Sequence, residues 1–219
     1  MEKNLAILIA DLSGYTALTE AHGAISAADL IERFLQIVRN SLVSDSHLHQ
    51  RRGDEVMIVS ESPDNLLSTA LLLLKNSVTE NNFLLLHGGL HYGPVLKRDG
   101  EYFGSVINST SRIASKANAG SFWCSKEFRD AVQNEKLCEF EAMGTHELKN
   151  VPEEKEIFRI VNENTSLLGI DPVCRMLILS AQKAIPHPIE KEVFFCSENC
   201  LSIYEANKKK KTSTELLSP

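Results

Sequence analysis

A short apolar run near the N-terminus, Leu5–Ala10, stops abruptly at Asp11. An apolar run that is both short and sharply bounded predicts a buried strand, here over Asn4–Ala10. A helix that spans a membrane needs about 20 apolar residues, far more than this run or the later run Ala70–Leu74 supplies. We therefore expect no membrane span, and we expect the carboxylate of Asp11 to stand at the end of a buried strand.

Apolar residues at steps of three and four predict a first helix with Ser26 as its N-cap. Its buried stripe consists of Ala28, Ile31, Leu35, Val38 and Leu42. Strands are then predicted over His47–Arg51 and Glu55–Ser60, around a turn at Gly53–Asp54. A second helix is predicted to begin at Ser62–Pro63, a cap residue followed by proline in the first turn.

The middle of the chain predicts a strand pair, a third helix and three more strands. The strand pair covers Phe83–Tyr92 and Val95–Lys97 and meets at Gly93–Pro94, and the helix covers Phe103–Asn118. The later strands are Phe122–Cys124, Cys138–Met143 and Glu156–Val161. The predicted mixture of strands and helices favours an α+β fold, with helices packed on one largely antiparallel sheet.

Composition narrows the classes of function and the compartment. The chain of 219 residues has a formal net charge of −6, which argues against nucleic acid as a partner. The basic run Lys208–Lys211 is expected to belong to a disordered tail over 208–219. Without a membrane span we expect a cytoplasmic protein, whose five cysteines would stay reduced. Clustered cysteines then indicate metal or redox chemistry.

Two sets of polar residues could carry chemistry. Asp11 follows a buried strand and Asp54 lies at a turn between strands, so the two could jointly hold divalent cations if those strand ends are neighbours. The alternative is that each acid only forms a turn. Asn108 and Arg112, four residues apart, share one face of the third helix. An ordinary polar helix face is the alternative for this second pair.

Five stretches resemble class III adenylate/guanylate cyclases, in the order and at the approximate spacing of that family. They are Ile7–Thr16 (ILIADLSGYT), Arg52–Met57 (RGDEVM), His91–Val95 (HYGPV), Gly100–Ile113 (GEYFGSVINSTSRI) and Gly144–Val151 (GTHELKNV). The resemblance implies a ferredoxin-like cyclase domain over 1–161. It also implies that ATP or GTP is converted to the 3′,5′-cyclic nucleotide and pyrophosphate.

The resemblance further implies roles for the four polar residues. Asp11 and Asp54 match the family's metal-binding aspartates, which hold two Mg²⁺ or Mn²⁺ ions per site. Asn108 and Arg112 match the pair that stabilises the transition state. Because the family takes its metals from one protomer and its Asn/Arg pair from the other, the resemblance implies a homodimer with two equivalent sites.

Three further positions are implied to contact the nucleotide. Lys149 lies where the family often has a phosphate-binding lysine, although the usual following glycine is Asn150 here. Gln50 replaces the lysine typical of adenylate cyclases and the glutamate typical of guanylate cyclases, and Glu101 replaces an aspartate frequent in adenylate cyclases. A carboxylate at 101 could accept from the adenine amino group, which favours ATP, whereas the amide of Gln50 can donate or accept.

The C-terminal part resembles a YHS domain, related to TRASH-type metal-binding modules, after a linker at 162–169. Its motifs are Asp171–Met176 (DPVCRM), Phe194–Cys200 (FFCSENC) and Tyr204, within a module over 170–207. A module this small needs a metal or a packing partner for stability.

The cysteines of this Cys-rich module give it a possible metal site. Cys174, Cys196 and Cys200 would supply three thiolates for Zn²⁺ or Cu⁺, with His187 as a candidate fourth ligand. The alternative is a folded module with ordinary buried thiols.

Three functions remain open at this point. One is a cyclase whose activity the metal-binding module could modulate. The second is a catalytically degenerate cyclase-like sensor or scaffold, for which the unusual Gln50 and Glu101 are the evidence. The third is a metal-trafficking protein in which the cyclase-like part serves only for dimerisation.

Overall fold

The computed structural model describes residues 2–151, 153–161, 168–180, 182 and 184–215. The chain divides into two compact units. Unit 1 consists of Met1–Ser13, Phe34–Ser77 and Leu86–Asn164, and unit 2 of Gly14–Arg33, Val78–Leu85 and Thr165–Pro219. Unit 2 therefore contains two stretches that the sequence analysis assigned to the first domain.

Unit 1 is built on a sheet with the strand order β2-β3-β1-β4-β6-β8-β7, in which β5 also pairs with β4. All of these pairs are antiparallel except β4–β6, so the predicted α+β class and largely antiparallel sheet are confirmed. The strands are β1 Glu2–Leu12, β2 His47–Arg52, β3 Glu55–Ser60, β4 Leu86–Arg98, β5 Glu101–Phe103, β6 Ser121–Ser125, β7 Phe140–His146 and β8 Lys155–Ile160.

One continuous strand, β4, replaces the two strands that were predicted to meet at Gly93–Pro94. The strand runs without a break through both residues, and β1 pairs with it from Glu2 to Leu12. At Pro94 neither β5 nor β6 pairs with β4, so the strand has a neighbour on one side only, where a sheet tolerates proline. The chain turns instead at Asp99–Gly100, both of which adopt the left-handed backbone conformation.

The sequence predicted the start of the second helix correctly, but not the start of the first. Helix α1 covers Tyr15–Ser41 and is kinked at Gly23, which has φ 80° and ψ 173°. The kink makes two helical segments, and Ser26 lies inside the second one rather than at its cap. Helix α2 covers Pro63–Thr79, and the Ser62 hydroxyl accepts from the Asn65 amide, as predicted for a cap.

Helix α3, Ser105–Ala114, lies directly against β4. A Cβ atom at Gly89 would come 2.5 Å from the Thr110 carbonyl and 2.4 Å from the Ala114 amide, so only glycine permits this approach. The helix buries its apolar side in a core shared with β1, β3 and β4. Asn108 is consequently left on an exposed face of α3.

A short helix α4, Lys126–Ala131, completes the helices of unit 1 and is capped by the Ser125 side chain. In unit 2, β9 Gly169–Ile170 pairs with β10 Leu177–Ile178, and β11 Ile185–Pro186 pairs with β12 Phe194–Phe195. Helix α5 covers Glu198–Glu215.

Helix α5 occupies most of the stretch for which a disordered tail was predicted from 208 onward. Of the predicted linker at 162–169, residues 162–167 lie outside the described part of the chain, as do residues 216–219 of the tail. No helix among the described residues has both the length and the apolar character needed to cross a bilayer.

Candidate active site

The structure brings the carboxyl groups of Asp11 and Asp54 together at one end of the sheet. Asp11 lies near the end of β1, and Asp54 follows Gly53 in the tight turn between β2 and β3. The left-handed φ of 64° at Gly53 explains the glycine in this turn. Because β1 and β3 are paired neighbours, the two side chains meet and form a hydrogen bond with each other.

The surroundings of this carboxyl pair disfavour two negative charges. Burial raises the pKa of Asp11. Burial, followed by the charge of Asp11, raises the pKa of Asp54 from 3.8 to about 6. Two carboxyl groups this close share a proton unless a cation neutralises them. Their oxygen atoms are the donors that Mg²⁺ and Mn²⁺ prefer, so the pair fits the ions that the sequence implied.

A histidine that the sequence analysis did not select lies beside the pair. His87 is directly opposite Asp11 on β4, and its Nε2 is 3.9 Å from Asp11 Oδ2. Its Nδ1 is 2.9 Å from Ser13 Oγ. Burial lowers the pKa of His87, so the ring is neutral at neutral pH. His87 lies 74 residues from Ser13 in the sequence. Only the register of β1 on β4 shows that it is a neighbour of Asp11 and Ser13.

Asn108 contributes to a separate cleft of unit 1. The cleft lies between α3 and the segment that leads into β8, and Arg112 is half-buried one turn further along α3. Its lining residues are His91, Ser105, Asn108, Ser109, Asn150, Val151, Glu153 and Lys155. Among the described residues neither Asp11 nor Asp54 lines this cleft. A single chain thus carries the aspartate pair and Asn108 at different places.

Lys149 is exposed in a turn, and its neighbour Asn150 has a left-handed φ of 61°. The lysine that lines the cleft is Lys155, whose Nζ lies 2.5 Å from Glu127 Oε1. Burial alone would raise the pKa of Glu127, but the Lys155 ammonium holds it at about 2. Lys155 and Asn150 were missed because neither stands at a position that the family motif marks for the phosphates.

Of the two positions that the resemblance implies to read the base, Glu101 contacts the residue before Gln50. Pairing of β2 with β3 shifts between Leu48 and Gln50, which places Gln50 directly after an irregularity in the strand. Its neighbour His49 has Nε2 3.5 Å from Oε2 of Glu101, the first residue of β5. The Glu101 side chain is 62% exposed and therefore accessible to a ligand.

The cysteines implied to bind metal converge within unit 2. Cys174, Cys196 and Cys200 form a cluster with His22, and their ligand atoms all lie within 4.8 Å of one another. His187, the fourth ligand suggested by the sequence, is not part of this cluster. Its Nε2 is 2.6 Å from Glu205 Oε1, and its Nδ1 accepts from the backbone amides of Ile189 and Glu190. Both ring nitrogens are therefore already engaged.

Comparison with known proteins agrees with this fold and its motifs. Residues 1–162 match the family model of the adenylate and guanylate cyclase catalytic domain. An uncharacterized protein of Mycobacterium tuberculosis is 35% identical over 124 residues, which are 56% of this chain and 33% of that protein. A pH-sensitive adenylate cyclase of the same species is 28% identical over 161 residues, which are 72% of this chain and 41% of that protein.

A solved structure extends the likeness to three dimensions. An adenylate cyclase of Trypanosoma brucei, determined in its monomeric state, superposes with a TM-score of 0.67 at 18% identity. The superposition covers 81% of this chain and 93% of the other. The chain spans less than half the length of the two mycobacterial relatives. Because the family model covers most of its residues, the chain belongs to the adenylate and guanylate cyclase catalytic domain family.

Proposed function

We propose that this protein is a nucleotidyl cyclase that converts ATP, in preference to GTP, to the 3′,5′-cyclic nucleotide and pyrophosphate. The single observation that carries the proposal is the hydrogen-bonded carboxyl pair of Asp11 and Asp54 at the end of β1. The family to which residues 1–162 belong carries out this reaction, and the pair has the chemistry that it requires.

The reaction makes one bond and breaks another at the α-phosphorus. The ribose 3′-oxygen attacks the phosphorus, its proton is released, and the bond to the bridging oxygen breaks to expel pyrophosphate. Negative charge grows on the oxygens around phosphorus, so a site has to supply positive charge and orientation. Metal ions bound here would lower the pKa of the 3′-hydroxyl and neutralise the phosphate oxygens.

Asp11 and Asp54 are the residues that would hold these ions. Their ionised carboxylates would bind the cations, and the ring of His87, neutral at neutral pH, lies beside Asp11 without adding a competing charge. Ser13 fixes the orientation of that ring through its bond to Nδ1.

Asn108 and Arg112 supply the remaining groups in this proposal. Arg112 would neutralise charge on the α-phosphoryl oxygens, and the Asn108 amide would orient the ribose. Asn108 lines a cleft that contains neither aspartate. A two-fold homodimer that faces the aspartates of one protomer with the Asn108/Arg112 pair of its partner unites the two halves.

The preference for ATP rests on Glu101. Its exposed carboxylate can accept a hydrogen bond from the adenine amino group, whereas the guanine 6-oxo group at that position would repel it. A mycobacterial relative is a pH-sensitive adenylate cyclase, which agrees with this preference. His49 lies 3.5 Å from one oxygen of this carboxylate, and most of the Glu101 side chain stays exposed.

The test is product formation by the purified full-length chain with ATP and, separately, with GTP, in Mg²⁺ and in Mn²⁺. We expect cyclic AMP and pyrophosphate in equal amounts and no product from Asp54→Ala. Asp29→Asn, which changes an exposed acid on α1, is the matched control and should keep full activity. A folded protein that binds nucleotide but forms no product would instead favour a cyclase-like sensor.

A further inference from the structure

Three sulfur atoms and one imidazole nitrogen of unit 2 converge on a common point. Cys196 Sγ lies 3.4 Å from Cys174 Sγ and 3.8 Å from Cys200 Sγ. His22 Nε2 lies 3.5 Å from Cys196 Sγ and 3.4 Å from Cys200 Sγ. We call these four residues the His22–Cys₃ cluster. Three of the four are half-buried or buried cysteines that form no disulfide.

These separations match four of the six edges of a tetrahedron around a zinc ion, and the other two are no longer than 4.8 Å. Zinc lies about 2.3 Å from a thiolate and about 2.0–2.1 Å from an imidazole nitrogen. Tetrahedral angles then put two sulfurs about 3.8 Å apart, and a sulfur about 3.5 Å from the nitrogen. A disulfide would instead need the sulfurs at about 2.05 Å. The four distances measured within the cluster match a tetrahedral zinc site and not a disulfide.

The segment that carries Cys174 and Cys196 is held by a buried carboxylate. Asp171 is fully buried, and its Oδ1 accepts from the amides of Val173 and Cys174 at 2.8 and 3.1 Å. Its Oδ2 accepts from the Cys196 amide at 2.8 Å. One side chain therefore fixes the backbone at two of the three cysteines. Outer-shell residues of metal sites commonly orient the ligands in this way.

The remaining ligands are presented by two helices. Cys200 lies in the first turn of α5, and Cys196 lies two residues before that helix begins, which leaves their sulfurs 3.8 Å apart. His22 immediately precedes Gly23, whose non-helical φ of 80° ends the first segment of α1. Asn199 Nδ2 donates to the Ala21 carbonyl at 2.8 Å, which holds this end of the segment against α5.

A second contact holds the other end of the same helical segment. A Cβ at Gly14 would come 2.6 Å from the Cβ of Arg175, so the turn that follows Cys174 lies directly on the start of α1. Arg175 itself adopts a left-handed φ of 68° there. Both ends of the first segment of α1 are thus fixed on the C-terminal segment, and His22 reaches the sulfurs without rearrangement.

We propose that His22, Cys174, Cys196 and Cys200 form a tetrahedral zinc site that fastens the first segment of α1 to the C-terminal segment. The site joins residues up to 178 positions apart in the sequence. Four ligands that include an imidazole suit Zn²⁺, whereas three sulfurs alone would also suit Cu⁺. The inference is independent of the cyclase reaction, since its ligands are not the groups proposed for catalysis.

The test is zinc binding by the full-length chain, measured as metal content after dialysis and as affinity against a coloured chelator. We expect about one zinc per chain in the wild type. His22→Ala should lower the affinity by more than about 100-fold, since even outer-shell partners are worth about 10–100-fold. Cys138→Ser, which changes a cysteine outside the cluster, should leave affinity unchanged.

A conservative variant keeps the test decisive if His22→Ala fails to fold. His22→Cys supplies a fourth sulfur, so it should retain zinc, and with Co²⁺ as a probe its visible spectrum should move from three thiolates toward four. His187→Gln should bind zinc like the wild type. Wild-type protein without zinc, or zinc affinity that survives in His22→Ala, would overturn the proposal, as would loss of zinc from His22→Cys.

Discussion

Asp11 and Asp54 meet as a hydrogen-bonded carboxyl pair, although 43 positions separate them in the sequence. Burial raises the pKa of both carboxyl groups, and the neighbouring His87 ring, whose pKa burial lowers, is neutral at neutral pH and adds no positive charge. Such an arrangement is costly in the metal-free protein and becomes favourable once cations bind. The first two predictions follow from this cost.

Asp54→Asn should abolish cyclase activity and at the same time stabilise the metal-free protein. The folded state raises the pKa of Asp54 from 3.8 to about 6, so it binds the proton more tightly than the unfolded chain does. Stability is therefore lost as the pH rises from about 4 to about 6, and an uncharged amide escapes this loss. After allowance for solvent screening, we expect a gain of about 1 kcal/mol at pH 7.

Denaturant unfolding without added Mg²⁺ or Mn²⁺, at several pH values, measures this effect. The wild type should lose stability across that pH window, and the variant should lose less. Asp29→Asn, an exposed acid on α1, serves as the control and should follow the wild type. Identical pH profiles for wild type and Asp54→Asn would contradict the raised pKa.

The apparent affinity for Mn²⁺ should fall as the pH drops below about 6. The shared proton of the carboxyl pair competes with the cation, so affinity should decline by roughly tenfold per pH unit on the acid side. Burial lowers the pKa of His87, so its ring takes up a proton only at a more acidic pH than an ordinary histidine does. A titration of Mn²⁺ against enzyme activity at each pH measures the affinity, and a flat profile through this range would contradict the account.

Much of the fold could be predicted because each strand and helix has a local signature. The apolar run before Asp11 and the stripe of α2 gave strands and helices whose positions the structure confirms. The break assigned at Gly93–Pro94 was wrong, because the continuous pairing of β1 with β4 from Leu86 to Leu96 outweighs the local turn preference of those two residues. Local sequence also cannot show that α1 begins as early as Tyr15.

The candidate sites were predictable only where a motif marks them. Asp54 stands in a recognisable turn, but His87 reaches Asp11 solely through strand register. His22 was missed for a similar reason, since it lies 174 residues from Cys196 in a helix with no metal-binding spacing. His187 was favoured because it lies near the cysteines in sequence, yet Glu205 and two backbone amides occupy its ring.

Glu101→Ala should reduce the preference for ATP over GTP. Loss of one hydrogen bond to the adenine amino group is worth about 1.4 kcal/mol at most, or roughly tenfold in the ratio of kcat/KM values. Asp99→Asn is a matched control, because its side chain is exposed two residues away in the same β4–β5 turn. The ratio should stay constant in the control, and an unchanged ratio in Glu101→Ala would exclude a role in reading the base.

Zinc should raise the midpoint of thermal unfolding of the wild type. A ligand at about 100 times its Kd stabilises the folded state by about 2.7 kcal/mol when the unfolded chain does not bind it. Cys196→Ser removes a central ligand of the His22–Cys₃ cluster and should lose this shift, whereas Cys138→Ser should keep it. A shift of equal size in Cys196→Ser would place zinc elsewhere on the protein.

The central claim is a catalytic site shared between two protomers, and mixing two inactive variants tests it most directly. Asp54→Ala lacks the metal-binding half and Arg112→Ala lacks the half that stabilises the transition state, so each alone should be inactive. A heterodimer retains one intact site of two. We therefore expect cyclic nucleotide from the mixture at up to about a quarter of the wild-type rate, since half of the dimers are mixed and each has one site. No activity in a mixture shown to contain heterodimers would contradict the account.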